Sequence, residues 1–275
     1  MNDPHLHHTP VPPAPGMLLA VLALLAALAY LTATTRLRRR GDTWPGWRDA
    51  CFAAGCAVLA CASLGPLPGG PFTAHMAQHL ALAMIAPVLV VLARPLTLLL
   101  RVLPARPRRA LLTVAHSAFA TVLVFPPLAA LLDLGGLWLL YRTPLFAATH
   151  QPLVHAAVHV HVVASGLLFT FAVCQLDPMR RRWGLAWRAT ALLGAGAAHA
   201  VLAKSLYATP PPGTGFTTTD LHHGAQLMYY GGDVVELAIA VVLAVQWYVS
   251  TGRVRSHEQR RAGKVTATAV AGGPR

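Results

Sequence analysis

The sequence predicts an all-α, polytopic membrane protein: a bundle of about seven transmembrane helices, N-terminus out and C-terminus in. Three observations predict it. Apolar residues of the AVILMFWYC set make up 55% of the 275 positions and charged residues 11%, with a mean hydropathy of +0.53. A soluble domain carries about a quarter charged residues, because its surface must hold water. Second, apolar stretches of roughly 18 residues or more recur along the chain, enough to cross a hydrocarbon core about 30 Å thick. Third, the basic residues gather in alternate loops, the pattern of the positive-inside rule. A soluble enzyme, a disulfide-stapled mini-protein and a coiled coil are excluded.

Residues 1–16, MNDPHLHHTPVPPAPG, are rich in Pro and His and lack Lys and Arg; they read as a disordered outer tail. A transmembrane domain is expected over 17–250 and a basic cytoplasmic tail over 251–275. The first span, Met17–Thr35, is followed by RLRRR. A secretory signal places its charge before the apolar run, so this segment reads as a retained helix. Further spans are expected at about Asp49–Gly65, His75–Leu100, Ala110–Leu132, Val154–Leu176, Leu185–Tyr207 and Leu221–Val249. Pro87 in the third and Pro126–Pro127 in the fourth predict kinks. An interfacial helix is expected in the outer loop over 134–152.

The net charge of +13 does not point to nucleic acid, given where the charges lie. Five arginines fall between Arg36 and Arg48, four between Arg101 and Arg109, three at Arg180–Arg182, and six basic residues follow Thr251. The opposite loops hold only Arg142 and Lys204. Arg94 and Arg188 lie inside spans near the basic side, where they can snorkel. Cys51, Cys56 and Cys61 recur at intervals of five, about 140° apart on a helix, so they share no face. With Cys174 alone in another span and no CxxC, the cysteines read as small buried residues.

The histidines carry the chemistry. There are 14 of them, and most fall at the outer ends of the spans. In HMAQH, His75 and His79 stand four residues apart, about 40° around a helix, so both rings can turn to one ligand. His155 and His159 repeat the spacing, His199 lies in the outer half of the sixth span, and His222 and His223 open the seventh. Imidazole suits copper, zinc, iron or nickel, and a thioether from Met76 or Met228 would suit Cu(I). A lone histidine at a membrane interface is ordinarily a wet interfacial residue; three clusters at one depth are not explained that way. Asp233 and Glu236 sit within the seventh span, where a carboxyl is costly. They read as a proton or cation path, as an acid that orients a buried partner, or as a structural pair with Arg94, Arg188 or a helix-end backbone group. No phosphate-binding loop and no Ser-His-Asp constellation occurs.

The strings HMAQHLALAMIAPVLVVLARPLTLLLR, HAAVHVHVVASGLLFTFAVCQLDP, AAHAVLAKSLY and GAQLMYYGGDVVEL, leading to QWY, resemble the CtaG-like (caa3-type) family of cytochrome c oxidase assembly factors. The resemblance runs from about His75 to Tyr248. It implies a seven-helix protein of the cytoplasmic membrane that matures a haem-copper oxidase and is not an enzyme. It also implies copper, expected as Cu(I), held by His75, His79, His155, His159 and His199, with His222 and His223 as further candidates. Many members open the last helix with a DQ pair, where this chain has Asp220-Leu221-His222-His223. The implied partners are the catalytic subunit of the oxidase, a soluble outer copper donor and the lipid bilayer. A haem-binding redox protein and a copper permease are the rival readings.

Overall fold

The computed structural model describes the backbone of residues 14–65 and 67–271 and the side chains of 16–65 and 67–252. Those residues form helices and no strand. The expected outer tail lies outside them up to position 13, and helix α1 (Ala14–Arg39) takes up its last three residues. Next come α2 (Gly46–Leu64) and α3 (Pro71–His79), which passes through a π-helical turn, Leu80–Ile85, into α4 (Ala86–Leu92). Three short helices follow: α5 (Pro95–Val102), α6 (Ala105–Ala115) and α7 (Ala118–Leu123). The remainder is α8 (Pro126–Arg142), a 3₁₀ turn at Ala147–His150, α9 (Pro152–Cys174), α10 (Leu185–Ala208) and α11 (Thr218–Ala271).

Among the described residues, six helices are long and apolar enough to cross a membrane: Gly16–Arg39, Gly46–Leu64, Pro71–Leu92, Pro152–Cys174, Leu185–Ala208 and Thr218–Gly252. The expected fourth span, Ala110–Leu132, is not one of them. Its first half breaks into α6 and α7, which bury no residue, and the apolar helix that packs at this place in the bundle is α8. With 17 residues, α8 is about 25 Å long and runs between the same two ends as its neighbours. At its start Phe125 packs on Trp183 and Trp187; at its finish Tyr141 bonds His75, and Arg142 bonds Ser205 and Thr209. Pro126 and Pro127 do not kink this helix but begin it, where their missing N–H groups cost nothing. The expected interfacial helix over 134–152 is therefore mostly the end of α8, with the 3₁₀ turn after it.

Two groups of side chains hold the bundle. Phe72, Tyr141, Phe169, Leu202, Met228 and their neighbours pack α3, α8, α9, α10 and α11 together. Tyr30, Phe52, Leu59 and Leu98 join α1 and α2 to the π turn, α4 and α5. In the second group Tyr30 stacks on Phe52 with centroids 4.0 Å apart, and its hydroxyl donates to Ala93 O at 2.8 Å. Arg38 and Asp49 pair at 2.7 Å across the α1–α2 turn. The leucines of α1 at 25 and 28 stay exposed, the face that lipid would cover.

The third span bends for a definite reason. Pro87 has no N–H to give to Ala83 O, and the chain widens into the π turn, where Ala86 N–H reaches Ala81 O. Helix α9 takes advantage of the opening: a Cβ at Gly166 would collide with Ala83 O. The same span stops short of Leu100, because Arg94, which precedes Pro95, adopts a left-handed φ of 54°.

Two further expectations change. Arg188 does not snorkel. It is buried, and its guanidinium donates to Val173 O, Cys174 O and Gln246 Oε1, closing the C-terminal carbonyls of α9. Cys61 is exposed, while Cys56 and Cys174 are buried and Cys51 is half-buried. The tail after Thr251 continues α11 as helix to Ala271.

The histidine ends of α3 and α9 thus lie at one pole of the bundle, and the arginine clusters at the other. Reporter fusions after Arg109 and Arg182 are expected to face the same compartment, with fusions after Thr149 and Thr214 facing the opposite one. A fusion after Arg109 that reports with Thr149 would show that α8 does not cross.

Candidate metal centre

Helix α3 places its two histidines, and the register of α3 is set from another helix. Asp220, in the first turn of α11, accepts hydrogen bonds from Phe72 N (2.8 Å), Thr73 N (3.0 Å) and Thr73 Oγ1 (2.6 Å). It caps the orphan N–H groups at the start of α3 from outside that helix. Gly70 is tight against this carboxylate, so any side chain there would overlap it.

From this anchored turn, His75 and His79 enter different chambers. His75 borders a cavity of about 700 Å³ together with Gln78, His155 and His159. Its walls are otherwise apolar, built from Leu18, Leu19 and Leu22 of α1, the end of α2, and Val160, Val163 and Leu167 of α9. His75 Nε2 is 3.0 Å from Tyr141 Oη, and its ring meets Phe146 edge to face at 4.8 Å. The His155 and His159 rings lie 4.1 Å apart, and His159 Nδ1 donates to His155 O at 3.0 Å. One helical turn has brought both imidazoles to the same wall.

His79 faces inward to a void of about 20 Å³ that it shares with His199, Glu236, Asp133 and Met84. His79 is 5% exposed and His199 3%, and their ring centroids are 6.1 Å apart. Both nitrogens of His79 and Nε2 of His199 are buried without a hydrogen-bond partner. Each such atom costs about 1–3 kcal/mol when left unmet, and three around one void are unlike an ordinary core. His199 Nδ1 is 3.7 Å from Glu236 Oε1, and Asp133 accepts from Ser165 Oγ at 2.8 Å. Two glycines make the room: a Cβ at Gly232 would strike the His199 ring, and one at Gly196 would strike the Glu236 carboxylate.

The other candidates stand apart. His222 stacks on Tyr207 with centroids 3.8 Å apart, His223 is exposed, and neither borders the two chambers. Met76 and Met228 are sealed in the apolar core, whereas Met84, unmarked by any motif, borders the inner void. Asp233 is exposed beside inward-facing Glu236, and Arg188 is engaged elsewhere, so the expected arginine–carboxylate pair does not form there. Asp133 also escaped the sequence reading, because it fell at the edge of the misplaced fourth span. Among the described residues, no group of three or more His, Cys, Asp or Glu side chains is already arranged to hold a metal ion.

The class is that of a helical membrane bundle with histidines collected at one pole, two of them buried with nitrogens that have no hydrogen-bond partner. The chain belongs to the cytochrome c oxidase caa3 assembly factor family, whose model matches residues 28–250. It is similar to the uncharacterized proteins Mb0105 of Mycobacterium bovis and MT0111 of Mycobacterium tuberculosis. Each is 30% identical over 272 residues, covering 90% of this chain and 40% of the relative. The uncharacterized protein ML1998 of Mycobacterium leprae is 28% identical over 273 residues, covering 91% of this chain and 41% of the relative. The chain thus spans about two-fifths of the length of the curated relatives it matches. No solved structure matches it.

Replacing Gly232 with Ala drives a methyl group into the His199 ring. Overpacking of this kind costs about 1–3 kcal/mol, and the thermal unfolding midpoint in detergent is expected to fall. Gly194→Ala, with open space around it, serves as the control and is expected to leave the midpoint unchanged or slightly raised.

Proposed function

We propose that the chain carries copper as cargo for the catalytic subunit of a haem-copper oxidase, within the assembly role of its family. The carrying observation is the buried His79–His199 pair with three unpartnered nitrogens. Two imidazoles that share an ion through bonds of about 2 Å have ring centroids about 6 Å apart, which matches the 6.1 Å between these rings. Nitrogen donors with a nearby thioether suit Cu(I), and Met84 lines the same void.

In this reading copper first meets His75, His155 and His159 in the larger cavity, delivered by a soluble donor outside the cytoplasmic membrane. The histidine pole then faces outward and the arginine pole inward, as the charge distribution favours. His79, one turn further along α3, bridges to His199. An incomplete donor set suits a carrier, because the acceptor can supply the missing ligand and draw the ion away. The chain changes the location of a metal and no covalent bond, so the role is not enzymatic. His222 and His223, stacked or exposed at the same pole, fit an approach surface better than a shared shell.

The haem-binding alternative is not favoured at the buried pair, since a void of about 20 Å³ holds one water or ion and not a macrocycle.

His79→Ala removes one donor, and the bundle is expected to insert and accumulate. Its Cu(I) affinity is expected to fall by more than about 100-fold, beyond the loss that follows removal of an outer-shell partner. In cells the oxidase is expected to lack copper in its catalytic subunit. His116→Ala, at the arginine pole, is the control. Full oxidase copper in a His75→Ala/His79→Ala double variant, present at the wild-type level, would refute the ligand role. A stoichiometric Soret band in the purified protein would favour haem instead.

A further inference from the structure

The buried site contains more than imidazoles. Glu236, on α11, borders the same small void as His79 and His199. Its Oε1 is 3.7 Å from His199 Nδ1, and it lies well within a span, where a carboxyl needs a partner. Gly196 on α10 is bare where this carboxylate lies. Asp133, the other carboxyl at the void, already accepts from Ser165. Arg188, the nearby spans' buried cation, is spent on α9 carbonyls and Gln246. Glu236 therefore faces the His199 imidazole at 3.7 Å, beyond direct hydrogen-bond reach, and Nε2 of that ring is unpartnered.

We infer that Glu236 is the positioning carboxylate of the buried copper site. It takes the Nδ1 side of His199, leaves Nε2 as the nitrogen open to an ion, and supplies negative charge beside that ion. Imidazole ligands commonly give their second N–H to a carboxylate, which fixes tautomer and ring orientation and raises ligand basicity. The charge has a second use. Cu(I) bound by two neutral imidazoles would leave a bare positive charge in a medium of low dielectric, at high cost. One ionised carboxylate alongside makes the site neutral as a unit. The same argument explains why an acid is kept at this depth and why a glycine faces it.

The inference rests on copper binding at His79 and His199, and the test separates the two. The full chain is purified in detergent without oxygen, and Cu(I) is titrated against a chromophoric chelator in wild type, His79→Ala, Glu236→Gln, Glu236→Asp and Gly196→Ala. Glu236→Gln keeps the shape and loses the charge, and its affinity is expected to fall about 10–100-fold. Gly196→Ala leaves every donor in place but displaces Glu236, and a similar loss is expected. Glu236→Asp retains the charge and is expected to bind more tightly than Glu236→Gln. Copper absorption spectroscopy should show altered imidazole ligation in Glu236→Gln, a change that a purely structural role would not produce. Wild-type affinity in Glu236→Gln overturns the inference while leaving the copper site standing. If Glu236→Gln does not accumulate, equal losses in Glu236→Asp and Gly196→Ala support displacement alone and overturn the charge role. Equal affinity in wild type and His79→Ala overturns the underlying reading.

Discussion

The three hydrogen bonds from the start of α3 to Asp220 are the point on which the rest of the site depends. Two helices that lie 148 positions apart at this contact are locked in rotation and height by one carboxylate. A helix end inside a bundle needs partners for its free N–H groups, and without them it frays or shifts. Here the partner comes from α11, the same helix that carries Gly232 and Glu236. The two walls of the inner void are therefore registered against each other at their common pole. A change at Asp220 would be felt at the distance between His79, about two turns along α3, and Glu236, more than about four turns along α11, before it was felt as lost packing.

The membrane imposes the complementary constraint. Backbone groups in hydrocarbon must be satisfied within the protein, so each irregularity in the bundle has a named remedy. In the π turn before Pro87, Ala86 N–H serves Ala81 O, and the arginine at position 188 takes up carbonyls at the end of α9. Against that economy, the unpartnered nitrogens of His79 and His199 stand out. The protein satisfies backbone groups at some trouble and leaves these three imidazole nitrogens without a partner.

Much of the fold was legible from the sequence, because hydropathy and charge placement are coarse signals repeated over many residues. The helical class, the two poles and the one-sided histidines all follow from them. The fourth long apolar helix was not legible at the right place. An apolar window over Ala110–Leu132 satisfies hydropathy as well as Pro126–Arg142 does, and the difference lies in Pro126–Pro127, which favours a helix start over a kink. Within the site, HMAQH gave the pairing of His75 and His79 but not their separation into two chambers. A rotation of about 40° is too small to announce that, and the chambers belong to α8, α9, α10 and α11. Asp133 and Met84 carry no motif at all; only the fold brings them to the void. Glu236 was marked by its depth, whereas its histidine neighbour could be known only once α10 and α11 were placed.

The π turn has a consequence for how this chain can vary. It accommodates one more residue than an α-helical turn would, so the segment between His79 and Pro87 is counted, not merely apolar. Winding the same residues as ordinary α-helix, with none removed, would swing everything on the far side through about 100°. Side chains in this stretch can be exchanged for others of similar bulk, but its length behaves like a reading frame. Insertions and deletions should be confined to the loops, while drift in composition passes through the helix unnoticed.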